Sequence, residues 1–373
     1  MSQWIKTKLG EIVILNYGKA LKAQDRNAGS IPVYSSGGLT GWHNKALINE
    51  QGIIIGRKGT VGKAYLTYGP FWCIDTAYYI LPNPSKYDFV FLFYLLKTLG
   101  LEELNEDSAV PGLNRDTAYS QEILLPSLPE QKAIASVLSS LDDKIDLLHR
   151  QNKTLESMAE TLFRQWFILD STGVSVSIDQ IIDFNPKRTL IKSQDATYLD
   201  MAGLSTVIFR ANGYYRRPFS SGTKFTKRDT LLARITPCLE NGKAAYIDFL
   251  DDNETGWGST EFIVMRPKKE IHPFISYIMC RNPDFKEYAE SCMEGSTGRQ
   301  RVNLDHLKKF NVNLPTEASL RIINKLLDSF ESKLINNSKQ IDSLEKLRDT
   351  LLPKLMSGEV RVQYAEEAIA SVA

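Results

Sequence analysis

The side chains with the clearest chemical potential in this sequence are cations set among aromatic and small polar residues. Gly56-Arg57-Lys58-Gly59-Thr60-Val61-Gly62-Lys63-Ala64 has the composition of a phosphate-cradling loop. Its spacing is wrong for nucleotide binding: five residues separate Gly56 from Gly62 where four are needed, and Ala64 replaces the required Ser or Thr. It reads instead as a basic, Gly-rich turn between strands, offering backbone N–H groups with Arg57, Lys58 and Lys63 to phosphates or base edges; the plainer reading is a solvated turn. A denser group follows, in which Arg210, Arg216, Arg217, Lys224, Lys227, Arg228 and Arg234 fall within 25 positions, interleaved with Tyr214, Tyr215, Phe219 and Phe225. Arg takes guanine O6 and N7 in two parallel hydrogen bonds, and Lys, Ser and Thr hold phosphates, so the pattern suits nucleic acid. Arg299, Gln300 and Arg301 form a smaller group of the same kind. Tyr34-Ser35-Ser36-Gly37-Gly38, followed by Trp42 and His43, reads equally as a base-reading loop and as a hairpin turn. Trp257-Gly258-Ser259-Thr260-Glu261 reads as structural, with its Trp in the core.

Other chemistries lack their residues. The cysteines, at 73, 238, 280 and 292, show no short paired spacing and suit a reducing compartment; the histidines, at 43, 149, 272 and 306, do not cluster with them, so no metal site is expected. No carboxylate and lysine group stands at a nuclease-like spacing, since Glu331-Ser332-Lys333 lies inside a helical pattern. The N-terminus lacks an apolar leader core, and the longest apolar run, Phe89 to Leu96, is eight residues, too short to span a bilayer. A cytoplasmic location without membrane contact is expected. At 373 residues, 43% hydrophobic and 24% charged, the chain has the composition of a globular protein of two or three domains. Its 45 basic and 44 acidic residues leave a net charge of +1, which argues against coating nucleic acid by bulk charge but not against a local basic surface.

The elements that must position these groups emerge from an internal repeat. A shift of 189 residues carries Leu125-Pro126 onto Leu314-Pro315, and the match continues without a gap from Lys132 and Arg321 to Ile145 and Leu334. Upstream, the same shift pairs Asn114 with Asn303 and Asp116 with Asp305. Further back the offset drifts, yet Phe89-Val90 resembles Phe274-Ile275, and Ile12-Val13 with Asn16 resembles Ile181-Ile182 with Asn185. A unit of roughly 185 residues is thus written twice. Each copy has a globular part, residues 1–127 and 171–314, with short β-type runs such as Gly52-Ile53-Ile54-Ile55 and Phe262-Ile263-Val264, broken by Gly, Asn and Pro. Each also holds a helical-looking stretch, Phe89 to Leu104 or Pro273 to Met293, so both read as α+β domains. A helical tail follows each, residues 128–170 and 315–373.

Apolar residues recur in these tails at steps of four and three. One seam is Ile134, Leu138, Leu141, Ile145, Leu148, Asn152, Leu155, Ala159, Leu162 and Trp166; the other is Ile323, Leu327, Phe330, Leu334, Asn337, Ile341, Leu344, Arg348, Leu351 and Leu355. Seventeen of these twenty are apolar, which predicts coiled-coil packing of two long helices. Pro353 is expected to kink the second and Gly358 to end it. Antiparallel packing about the centre of the repeat places Asn152 opposite Asn337, and the small Ala159 opposite the large Phe330. A buried Asn layer fixes register, whereas the plainer alternative has each Asn facing solvent. Asp142, Asp143 and Asp146, beside the seam, read as solvated positions or as part of a docking face. A repeat joined by an antiparallel pair has pseudo-two-fold symmetry, as duplex DNA does, so helices of fixed length would set the distance between two half-sites.

Several of these segments carry a resemblance. Leu125-Pro126-Ser127-Leu128-Pro129-Glu130-Gln131-Lys132-Ala133-Ile134, leading into a helix that ends Leu162-Phe163-Arg164-Gln165-Trp166-Phe167, resembles the central conserved region of the specificity (S) subunit of type I restriction-modification systems. Leu351-Leu352-Pro353-Lys354-Leu355-Met356-Ser357-Gly358-Glu359-Val360 resembles the end of that family's distal conserved region. Ile31 to Gly38 and Gly56 to Gly62 resemble segments of its target recognition domains. The likeness covers essentially the whole chain, although Thr316-Glu317-Ala318-Ser319-Leu320 departs from the Pro-Glu-Gln signature in the second copy.

The resemblance implies two target recognition domains in tandem, each reading one half of a bipartite site in double-stranded DNA, and a chain without catalytic activity of its own. It implies two methyltransferase (M) subunits docked on the helices and restriction (R) subunits in the full complex. It also implies no cofactor on this chain: S-adenosylmethionine, used to methylate a flipped adenine, and ATP with Mg belong to the partners. In agreement, Asn185-Pro186 runs into Lys187-Arg188, so no Asn-Pro-Pro-Phe or Asp-Pro-Pro-Tyr amino-methyltransferase signature is present. The globular parts carry net charges of +1 and +3 and the tails −2 and −1, so the isolated chain is expected to grip DNA weakly and in a salt-sensitive way.

Overall fold

The strand-forming runs of the two copies build the same sheet twice. In the computed structural model, which describes residues 4–104, 112–170, 172–296 and 298–365, the buried run Gly52–Gly56 is a central strand between Ala77–Ile80 and Ala64–Thr67, with Asn16–Tyr17 beyond Ala77–Ile80. Its isoleucines are apolar on both faces because both faces are covered. In the second copy Thr230–Ala233 takes the same place, between Phe262–Pro267 and Ala244–Tyr246, with Ile182–Phe184 beyond. A second sheet joins Gly38–His43, Ile31–Ser35 and the parallel strand Trp72–Cys73; its counterpart joins Tyr215–Pro218, Asp195–Leu199 and the parallel strand Thr255–Gly258, with Thr223–Thr226 added at the edge. Each copy is closed by an antiparallel pair, Ile5–Lys8 with Glu122–Leu125 and Val174–Ser177 with Asn311–Leu314. The fold class is α+β, as the patterning predicts.

Helix boundaries follow local capping chemistry. The Asn114 side chain accepts from the backbone N–H groups of Asp116 and Thr117 at 2.8 and 3.4 Å, and the Asn303 side chain from those of Asp305 and His306 at 3.0 and 3.2 Å, so the pair matched in sequence caps matching short helices. The stretch Pro273 to Met293 is two helices, Phe274–Arg281 and Pro283–Ser291. Asn282 between them is extended, its side chain accepts from the Phe285 N–H, and Pro283 starts the new helix where its missing N–H is harmless. All four cysteines are free thiols. Among the described residues no helix is long and apolar enough to cross a membrane.

The chain forms two compact units, Met1–Asp146 with Gln340–Ala373, and Leu147–Lys339. The long helices Leu128–Phe163 and Glu317–Ser357 each contribute residues to both units. In the first unit Arg348 Nη1 donates to Asp142 Oδ1 at 2.8 Å, and Glu130 and Ile134 line one cleft with Ser357 and Gly358, so the helices run antiparallel there. In the second, Asn337, with no exposed surface, donates from Nδ2 to Asn152 Oδ1 at 2.9 Å, while Asn152 Nδ2 donates to Ser338 Oγ at 3.3 Å. Ala159 is buried in an apolar core that has Phe330 packed against it.

The structure departs from the sequence expectations at two points on these helices. Asp142 is no solvated residue: besides Arg348 it accepts from Tyr94 Oη at 2.7 Å, tying the helix pair to the first globular part. The buried seam leaves Leu162 and Trp166 half-exposed and passes to Phe163, the last α-helical residue, and Phe167, inside the π-helical turn Arg164–Leu169, their rings stacking at 5.2 Å. The distal helix runs through Pro353 to Ser357 and, as the sequence suggests, ends where Gly358 turns with φ +75°.

Candidate nucleic-acid interface

Tyr34-Ser35-Ser36-Gly37-Gly38 is a hairpin turn between the strands Ile31–Ser35 and Gly38–His43. The Tyr34 ring points inward, edge-on to Phe71 with centroids 6.3 Å apart, and Ser36 is buried. Ser35 Oγ accepts from the Gly37 N–H at 3.2 Å, and Gly38 holds φ +94° with the Tyr65 ring where a Cβ would stand. His43 is buried too, its Nδ1 accepting from the Asn27 N–H, so Gly37, Leu39 and Trp42 form the outward surface of this hairpin.

The Gly56 to Lys63 segment is a turn between strands whose backbone donors face inward. The N–H groups of Arg57 and Lys58 donate to Thr76 O at 2.9 and 3.0 Å, that of Gly62 to Gly56 O at 2.8 Å and that of Gly56 to Lys63 O at 2.9 Å. The expected backbone cradle is therefore absent at these four groups, and side chains carry the outward chemistry. Lys58 and Lys63 are exposed, and Arg57 is half-buried. Arg57 donates from Nε and Nη2 to Asp75 O at 3.2 and 2.7 Å, and its Cζ lies 5.3 Å from the Tyr17 ring centre and 5.8 Å from that of Tyr78. Arg115 approaches the same Tyr17 ring at 5.5 Å. Nothing in the sequence pattern singles out Tyr17 or Arg115, because they stand 98 positions apart and meet only through the sheet and the capped helix.

In the second copy, Arg216 and Arg217 lie on the edge strand Tyr215–Pro218, exposed along its whole length. Arg216 Nε is 2.7 Å from Asp195 Oδ2. Arg217 has no carboxylate within ion-pair distance among the described residues; its Cζ lies 4.8 Å from the Tyr198 ring centre and 5.3 Å from that of Trp257, which is buried as the sequence suggests. Lys224 lies over the Phe219 ring and donates to Arg188 O, Lys227 pairs with Asp252 at 2.9 Å, and Arg301 pairs with Glu261 at 2.7 Å. Arg234 donates to Val302 O at 3.2 Å, Arg210 pairs with Asp248 at 2.8 Å, and Arg299 is exposed.

Arg228 is a correction. Its guanidinium turns away from the basic surface onto the distal helix, with Nη2 2.6 Å from Glu331 Oε2, 3.7 Å from Asp328 Oδ1 and 3.2 Å from His272 Nε2, while Tyr246 Oη donates to Glu331 at 2.6 Å. Its φ of +66° belongs to the tight turn that aims it there. His272, Asp328 and Glu331 together have the ligand types of a metal site, brought together from distant sequence. Arg228 already supplies the positive charge among them, and burial holds His272 below the usual imidazole range, so the cluster is an ionic joint with His272 and Glu331 buried and Asp328 at its exposed rim.

A repeated α+β fold that displays cations on aromatic rings suits a protein that reads nucleic acid. The family model for the type I restriction modification DNA specificity domain matches residues 1–157 and again 172–346. The chain belongs to that family, whose role is DNA sequence specificity rather than catalysis. It is similar to the MjaIX specificity subunit of Methanocaldococcus jannaschii, 27% identical over 319 residues that take in 73% of this chain and 69% of that protein. It is also similar to the EcoEI specificity subunit of Escherichia coli, 26% identical over 204 residues, 51% of this chain and 34% of that protein. Its fold matches the crystal structure of a type I S subunit from M. genitalium with a TM-score of 0.63 at 20% identity, covering 95% of this chain and 96% of that one.

Proposed function

We propose that each globular part reads one half of a bipartite, asymmetric site in double-stranded DNA, and that the paired helices fix the separation of the halves while docking two methyltransferase subunits. The observation that carries this reading is one topology repeated sheet for sheet within a single chain, with unlike side chains displayed on it. A shared scaffold with different surfaces suits a site whose halves differ in sequence. Lys58, Lys63, Lys224, Lys227, Arg234, Arg299 and Arg301 take phosphates in this reading, and Tyr34 to Gly38 supports the first copy's hairpin, beside the turn that carries Lys58. The chain itself carries no cofactor: S-adenosylmethionine belongs to the methyltransferase subunits, and ATP with Mg to restriction subunits that complete the complex in the cytoplasm.

The test is co-expression of the chain with its cognate methyltransferase subunits, followed by long-read mapping of N6-methyladenine. The reading expects a split motif that vanishes when this chain is deleted. A continuous motif, or methylation that persists without the chain, refutes it.

A further inference from the structure

The two copies supply an internal control for what their surfaces do. Leu113 N donates to Arg57 O at 2.8 Å and Val302 N donates to Arg234 O at 2.9 Å, so Arg57 and Arg234 occupy the same place in the repeat. Gly56 N donates to Lys63 O and Ala233 N to Lys243 O, which equates the turns that follow, closed by Gly62 and Gly242 with φ +77° and +71°. The register then equates Tyr78, opposite Ile55, with Ile263, opposite Leu232. Asn16 and Asn185 meet the same strand at Tyr79 and Val264, so Tyr17 corresponds to Pro186; Arg115, first in its capped helix, corresponds to Leu304. Backbone bonds and caps are retained throughout, whereas Tyr17, Tyr78 and Arg115 are replaced by Pro, Ile and Leu. The scaffold therefore does not require the cluster that these three residues form with Arg57.

That cluster also lacks an internal counter-charge. Two guanidinium groups lie within 5.5 Å of one ring centre, with no carboxylate in ion-pair distance of either among the described residues, while Tyr17 is 52% exposed. The Tyr17 ring offsets part of the repulsion between the two cations, and an incoming negative or electron-rich group would relieve the rest. Arg57 also keeps one edge for a particular contact. Its Nε and Nη2 donate to Asp75 O and its Cζ lies 5.3 Å from the Tyr17 ring centre, so the side-on edge of the guanidinium is occupied and the end-on Nη1 and Nη2 pair is the fork left for another acceptor. Such a fork matches guanine O6 and N7 in the major groove.

We propose that Arg57, held on Tyr17 with Arg115 beside it, reads a guanine in the half-site recognised by the first copy. This rests on the reading of the chain as a DNA specificity subunit. The experiment uses the full chain purified with its methyltransferase partner, and selects bound sequences from a pool of random duplexes. Arg57→Lys keeps the charge and loses the fork; Arg115→Gln, at an exposed position, leaves the fold intact should Arg57→Lys fail to assemble. Both are expected to reduce discrimination at one base pair of one half-site by about ten- to a hundredfold, and to leave the other half-site as it was. A wild-type complex that selects a split motif, with variants that select the same motif or lose affinity equally for all sequences, overturns the role of the cluster. A wild-type complex that selects no split motif overturns the underlying reading instead.

Discussion

Single side chains decide how the second globular part is held on the central helix. Tyr277 Oη donates to Glu156 Oε2 at 2.8 Å, and burial pushes the Glu156 carboxyl from 4.5 up to about 7, partly offset by that hydrogen bond and by Arg281. The folded-state value lies above the unfolded one, so the protonated form favours folding and that stability is lost as pH rises from 4.5 through about 7. Glu156→Gln keeps the hydrogen-bonding acceptor without the charge. It is expected to match the wild type at pH 4 and to exceed it at pH 8 by up to about 3 kcal/mol, visible as a higher melting temperature only at the higher pH. At the candidate interface, Arg217→Ala removes an exposed cation with no carboxylate partner among the described residues, whereas Arg301→Ala breaks a pair with Glu261. Arg217→Ala should weaken DNA binding by the assembled complex about fivefold or more, and Arg301→Ala should do less; equal losses in a titration would contradict the ranking. The sequence exposes this surface only in part. Runs of cations show where charge is dense, yet Arg228 in the middle of its run turns inward to Glu331, and Tyr17 with Arg115 outside any run come together. Spacing along a chain reports local geometry, and these pairings are made where helices pack against the strands and turns of the sheets.

The elements were far more legible. A four-three period of apolar residues is a property of one helix face, and it yields the antiparallel register down to the meeting of Asn152 with Asn337. It does not show where that face rotates, since the π turn at Arg164–Leu169 depends on packing at the end of the helix. Buried Asn layers specify register at some cost in stability. Asn152→Leu alone takes from the buried Asn337 amide its shorter acceptor, leaving Gln151 Oε1 at 3.4 Å, and should destabilise by about 1–3 kcal/mol. The double substitution Asn152→Leu with Asn337→Leu should recover the loss or exceed the wild type in melting temperature. A double variant less stable than the single one would show that the pair stabilises beyond satisfying its own hydrogen bonds.

For the molecule as a whole, the net charge of +1 conceals mildly basic globular parts and mildly acidic helical ones. Many of the basic residues of the second copy are already paired with Asp or Glu, which lowers the charge available to phosphates further. The isolated chain should therefore bind duplex DNA weakly, with affinity falling steeply between low and physiological salt, and its partners should supply most of the grip. The internal repeat was legible because both copies keep the same caps, strand pairs and seam, while the groups that differ between copies carry no shared signature by which to find them. The central claim is that two separable readers lie in one chain. It is tested most directly by exchanging residues 1–127 for the corresponding part of a relative with another specificity, co-expressing the hybrid with the methyltransferase subunits, and mapping N6-methyladenine. One half of the split motif should change while the other half and the spacing stay as they were; a change in both halves, or in neither, would contradict the account.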